Sequence, residues 1–195
     1  MKKIFLAFIL MTGFFTISVK AQSQMFSLQY SIGFGTGNTN EFISAPSFRG
    51  ISFEYRKFIT PNHAIGFETS YNFFYEKKDY ATYTDDNQSL SGIQFRYLHS
   101  LPILAAYDYY FKPNQKYNPF VGAGIGCNIL DQRVDMGIYS FTNDAVQFAF
   151  RPEVGVLIQA NRNLDLIVAA KYFVSTKGND MDGQNYLTIN LGFAF

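Results

Sequence analysis

An N-terminal secretory leader, eight stretches of alternating polarity and a near-absence of charge from one side of those stretches predict an all-β chain. The fold class is an eight-stranded antiparallel up-and-down transmembrane β-barrel, preceded by a cleaved signal peptide. In the leader, Lys2 and Lys3 form a positive n-region, Ile4 to Val19 is apolar apart from Thr12, Thr16 and Ser18, and Val19-Lys20-Ala21 supplies small residues for cleavage. The apolar run of about 16 residues is short of the roughly 20 that a spanning helix needs. Residues 1–21 are therefore expected to be removed, leaving 22–195 as one barrel domain.

Cleavage takes three of the 16 basic residues and none of the 15 acidic ones, so the mature chain has no basic surplus for nucleic acid. Cys127 is the single cysteine, so no internal disulfide forms, and it does not follow the cleavage site, so no lipid anchor is built on it. Aromatic residues make up 18% of the chain, yet mean hydropathy is close to zero. Apolar and polar residues are thus mixed finely, as alternation requires.

The eight segments follow in order. The first sets Phe26, Leu28, Tyr30, Ile32 and Phe34 against Ser27, Gln29, Ser31 and Gly33. The second sets Ile51, Phe53 and Tyr55 against Ser52, Glu54 and Arg56, and the third sets Ile65, Phe67, Thr69, Tyr71, Phe73 and Tyr75 against Gly66, Glu68, Ser70 and Asn72. The fourth begins with Ile93, Phe95 and Tyr97 against Gln94 and Arg96, and runs to about Tyr110. The fifth sets Val121, Ala123, Ile125 and Cys127 against Gly122, Gly124, Gly126 and Asn128. In the sixth, Phe148, Phe150, Val154 and Val156 oppose Arg151, Glu153 and Gly155. In the seventh, Leu164, Leu166, Val168, Ala170 and Tyr172 oppose Asp165 and Lys171. In the eighth, Leu187, Ile189, Leu191, Phe193 and Phe195 oppose Thr188, Asn190, Gly192 and Ala194.

Charge sorts the faces. Glu54, Arg56, Glu68, Arg96, Asp108, Arg151, Glu153, Asp165 and Lys171 all fall on the polar face, whereas the apolar face holds Lys57 alone, at a segment end where its stem can snorkel. A cation facing lipid at mid-membrane costs about 2–4 kcal/mol, which accounts for that exclusion. The polar face therefore lines the lumen. Eight strands leave an interior only just wide enough for side chains, so the nine charges are expected to pair there as a structural network that plugs the barrel. The inverted arrangement, a soluble calyx, would crowd the rings inside and leave the glycines outside.

Connections alternate in length. Residues 36–48, 76–90, 131–144 and 176–185 read as long polar loops, and 59–63, 112–118 and 159–163 as short turns. Long loops face outward and short turns face the periplasm in outer-membrane barrels. Tyr55, Tyr71, Tyr75, Tyr97, Tyr107, Tyr109 and Tyr172 lie towards strand ends, as an interfacial girdle requires. Pro102 and Pro152 interrupt strands of a barrel without edges, which predicts a bulge or local distortion at each.

Three stretches carry a resemblance: Tyr97-Leu98-His99-Ser100-Leu101-Pro102-Ile103-Leu104, continuing to Tyr109-Tyr110-Phe111; Pro119-Phe120-Val121-Gly122-Ala123-Gly124-Ile125-Gly126; and the C-terminal strand ending in Phe195. Over essentially the whole mature chain the sequence resembles the small outer-membrane β-barrel domain family of Gram-negative bacteria, described as porin-like or PorT-like. The resemblance implies an outer-membrane location, and a barrel-assembly machinery that reads Phe195 as its signal. It implies no particular activity.

Chemistry-bearing motifs are weak. The glycines at 122, 124 and 126 do not complete a nucleotide fingerprint, because Cys127 stands at the next required glycine. Asp180-Met181-Asp182-Gly183 fails as a calcium loop at both ends, where Gly178 and Ile189 fall. His99 and Ser100 are neighbours in a strand, so they point to opposite faces and form no nucleophile–base pair. No catalytic residue, cofactor or metal site is expected. The leading expectation is a monomeric, non-enzymatic barrel with a plugged polar lumen in contact with outer-membrane lipid. It would play a structural role or bind an extracellular ligand through the four loops, with Tyr80, Tyr83, Tyr139 and Phe141 as contacts. A narrow channel for ions or small solutes is the alternative, and an envelope lipid hydrolase is the third.

Overall fold

A computed structural model describes residues 24–85, 88–161, 164–178 and 181–195. The expected signal peptide, Asp180 and the Arg162-Asn163 turn lie outside them, as does the side chain of Tyr83. The strands are β1 (Gln24–Thr36), β2 (Ser47–Thr60), β3 (His63–Asp85), β4 (Gln88–Tyr110), β5 (Tyr117–Met136), β6 (Tyr139–Asn161), β7 (Leu164–Ser175) and β8 (Asn185–Ala194). One short helix, α1 (Asn38–Phe42), lies between β1 and β2. Each strand pairs antiparallel with its sequence neighbour, and β1 also pairs with β8, which closes the barrel. Closure satisfies main-chain groups that no solvent would satisfy in lipid.

The alternation predicted from sequence sets the faces. Ser27, Gln29, Ser52, Glu54, Arg56, Glu68, Arg151, Glu153 and Lys171 are buried, whereas Leu28, Tyr30, Ile51, Phe67, Ile125, Phe150, Leu191 and Phe193 are exposed on the outer wall. Lys57 is exposed at the periplasmic end of β2. At the seam, Phe26 and Phe195 exchange two main-chain hydrogen bonds of 2.8 and 2.9 Å, and their rings stack outside with centroids 6.5 Å apart.

Three expectations need correction. Residues 76–90 and 131–144 are not long loops. β3 and β4 continue as a ribbon to Asp85↔Gln88, and β5 and β6 continue to Met136↔Tyr139. Both faces of such a ribbon are wet, so alternation fades while pairing persists. The second ribbon turns through Gly137 and Ile138, with Gly137 at φ 59°, a conformation glycine adopts without steric cost.

At the prolines the expected local distortion is present, but no bulge is, because neither proline shifts the register. Pro102 stays opposite Asn128 and Pro152 opposite Ala123. What fails is a pair of rungs on the other side of each proline, where Leu101-Pro102 faces β3 and Arg151-Pro152 faces β7, and pairing resumes beyond in the same register. A proline lacks one donor, and that donor points to one neighbour only, so the loss is one-sided. Register shifts occur instead between Ser31 and Gly33, Phe58 and Thr60, Lys78 and Ala81, and Gln159 and Asn161.

The third correction concerns the lumen, which also holds large rings. Towards the outer end, Ile43, Phe74, Leu98, Leu104, Leu130, Phe173, Met181 and Tyr186 form one buried apolar layer. Towards the periplasm, Met25, Tyr110, Phe120, Leu157 and Ile167 form another. Glycines make the room. A Cβ on Gly33 would stand 2.9 Å from the Phe74 ring, and one on Gly155 would stand 2.6 Å from the Phe120 ring.

Candidate functional site

Between the two apolar layers lies the charge network. Arg56 on β2 holds Asp108 of β4 through Nε, and its Nη2 lies 3.3 Å from Glu54 and 3.3 Å from Glu153. Arg151 on β6 contacts Glu68 and Glu153, each at 2.5 Å. Lys171 on β7 donates to Glu54 and, at 2.8 Å, to Glu68. All seven side chains are at most 3% exposed, so water screens none of these pairs. Strands β2, β3, β4, β6 and β7 are thereby cross-linked through the barrel axis.

Two of the nine lumen charges do not join. Arg96 faces inward but sits at the outer mouth. There its Nη1 donates to the Phe42 carbonyl at 2.9 Å, and its guanidinium lies 5.2 Å from the Phe42 ring centroid. Asp165, near the periplasmic end of β7, is half-buried.

Glu54, Glu68 and Glu153 are the one group among the described residues whose ligand atoms are close enough to hold a metal ion, within 4.8 Å of one another. Lys171 already stands among them, with its ammonium bound to Glu54 and Glu68 and 4.0 Å from Glu153. The positive charge that three carboxylates require is thus supplied by the protein itself, and a cation would have to displace it.

The outer mouth is closed by the first loop. Thr39 of α1 donates to Gln184 at 2.8 Å, and Glu76 accepts from the main-chain N–H and the hydroxyl of Ser44, each at 2.8 Å. Lys78 bonds the same carboxylate at 2.8 Å. Partial burial raises the Glu76 carboxyl, but the hydrogen bonds from Lys78 and Ser44 outweigh it and hold the group below the usual carboxylate range. From β6, Gln147 donates to the Met181 and Asp182 carbonyls, which draws the β7–β8 loop over the opening.

Above the mouth stand the two ribbons. Tyr80, Ile93, Phe95, Met136, Ile138 and Tyr139 line a cleft of about 530 Å³ between them, and Phe141 is exposed beside it. His99 and Ser100 diverge: Ser100 donates inward to Asn128 at 2.8 Å, and His99 Nδ1 meets the Tyr71 hydroxyl on the outer wall at 2.5 Å. His63 meets Tyr107 in the same way at 2.6 Å.

No family model matches the sequence, and no curated relative does. Solved structures do match. Neisserial surface protein A is 16% identical, with a TM-score of 0.60, over 90% of this chain and 98% of that one. Ail, the attachment invasion locus protein of Yersinia pestis, is 10% identical, with a TM-score of 0.53, over 90% of this chain and 100% of that one. The outer membrane protease OmpT from Escherichia coli is 8% identical, with a TM-score of 0.53, over 93% of this chain and 99% of that one. What these proteins share is the outer-membrane β-barrel fold, and this chain has it.

Proposed function

We propose that the protein is a non-enzymatic outer-membrane barrel with a sealed lumen, whose outer ribbons carry a structural or binding role in the envelope. The observation behind this reading is the stack of three filled layers across the lumen, apolar, ionic and apolar, under a mouth closed by two loops. Conduction needs a wetted path with weak successive sites, and buried ion pairs between ring-filled layers offer none. The two histidines lie against tyrosines on the outer wall, away from Ser100 and the buried carboxylates. That favours a non-enzymatic role. Beyond the lipid-facing wall, the ribbons also expose apolar residues, Tyr80, Ile138, Tyr139 and Phe141, where a ligand outside the cell could reach them.

Planar-bilayer recording tests the sealed lumen. No reproducible single-channel steps are expected from the purified mature chain. Steps whose size changes in Arg151→Ala would overturn the reading. Lipid A incubated with the protein is expected back unchanged, and a trimmed product would make it an enzyme.

A further inference from the structure

The two rims of the barrel differ in charge. On the described periplasmic rim, Lys57, Lys112 and Lys116 are exposed, and no exposed acidic side chain accompanies them. Asp165, the carboxylate on that side of the ionic layer, is half-buried on the inward face of β7. On the outer rim, by contrast, Asp79, Asp131, Asp144 and Asp182 are exposed among Arg49, Lys77, Arg133 and Lys177. Lys57 lies in register with Ile65 and, through it, Tyr107, and Lys112 and Lys116 lie in the β4–β5 turn. Tyr107, Phe111 and Tyr117 on these segments are all exposed, and Lys116 Nζ is 5.6 Å from the Tyr117 ring centroid. Aromatic residues of this kind settle at the headgroup level, so they place the ammonium groups among phosphates. The arc is stiff, because Asn62 and Tyr110 exchange hydrogen bonds of 2.7 and 2.8 Å between the β2–β3 turn and the end of β4, and Asn118 accepts from the Lys112 N–H at 3.0 Å.

We propose that the periplasmic rim of β2–β5 is a contact surface for anionic phospholipid headgroups of the inner leaflet, with Lys57, Lys112 and Lys116 as the phosphate contacts. A lysine near an anionic bilayer surface strengthens association roughly fivefold, and salt screens the attraction. Three lysines with no exposed acidic side chain beside them on the described rim therefore select an anionic headgroup over a zwitterionic one.

The mature chain reconstituted in phosphatidylcholine, probed with spin-labelled lipids, tests this. Spin-labelled phosphatidylglycerol is expected to associate several-fold more strongly than spin-labelled phosphatidylcholine. That excess should fall away in high salt and in the Lys57→Gln, Lys112→Gln, Lys116→Gln triple variant. The matching triple arginine variant should keep it, as should Lys77→Gln on the outer rim. Heat-dependent migration on a gel confirms that each variant is folded. Equal association of the two lipids with the unaltered protein, or an excess that survives the triple glutamine variant, overturns the proposal. Lysine-dependent sedimentation with peptidoglycan without any lipid preference would overturn it too, by assigning the rim to the cell-wall polymer.

Discussion

The ionic layer around Arg56 and Arg151 and the apolar layers around Phe74 and Phe120 fill the same lumen by different means. In the ionic layer most groups are shared: Glu153 answers both arginines, and Glu68 answers Arg151 and Lys171. Removing one member leaves its partners charged and buried, although jointly replacing them with apolar groups of similar volume is often tolerated. The apolar layers carry no such debt of charge. They depend on volume, and they fail when a ring is lost or a methyl is added. One layer thus demands particular partners and the other a particular shape.

Four measurements would break or sharpen that contrast. Because the chain lacks tryptophan, unfolding in urea is best followed by circular dichroism of the protein in lipid vesicles. Arg151→Met takes one cationic partner from each of Glu68 and Glu153, leaving the buried carboxylates in excess, and is expected to cost about 4 kcal/mol. A cost below that of any ring deletion would mean that the ionic layer is not the more sensitive one. Phe120→Ala is expected to cost about 3 kcal/mol.

Gly33→Ala forces the Phe74 ring to move and is expected to cost about 2 kcal/mol. Most of that loss should vanish in the Phe74→Leu background, since the nearest atoms belong to that ring. Additive losses would show that the strain lies in the β1 backbone.

Glu76 gives the smallest effect, about 0.5 kcal/mol, because its ion pair with Lys78 lies at the wet mouth. Its folded-state carboxyl titrates lower than in the unfolded chain, so its contribution is present at neutral pH and is lost as pH falls through the folded value. The protection factor of the Ser44 amide, its exchange taken relative to the intrinsic rate at each pH, should fall on acidification in the unaltered protein. In Glu76→Gln it should already be low at neutral pH and show no such step.

Much of this was legible in the sequence. Period two placed every strand and assigned Glu54, Arg56, Glu68, Asp108, Arg151, Glu153 and Lys171 to the inside, because each alternates with a face that must meet lipid and whose residues beside them are apolar apart from Lys57 and Thr69. The apolar layers were harder to see. In Phe73-Phe74, Tyr97-Leu98, Ile103-Leu104 and Tyr172-Phe173 both members are apolar, so polarity no longer distinguishes the faces. Carrying the phase forward from Asn72 would have turned Phe74 inward. Arg96 and Asp165 show a second limit: phase gives the face of a strand and says nothing about height, and these two lie at opposite ends of the barrel. The outer ribbons were read as loops because above the membrane no solvent difference separates their faces.

The β1–β8 seam has a consequence for how the molecule is made. Ser27 pairs with Ala194 and Phe34 with Leu187, so these rungs join residues separated by nearly the whole barrel. Every other ladder joins neighbours in sequence and can form as the chain is laid down. The seam is therefore the step with the greatest loop-closure cost, and until it is complete β1 and β8 are open edges able to pair with other chains. Assembly of this barrel should be limited by the meeting of its two ends. Substitutions that weaken β1 or β8 should slow folding more than equal losses in β4 or β5.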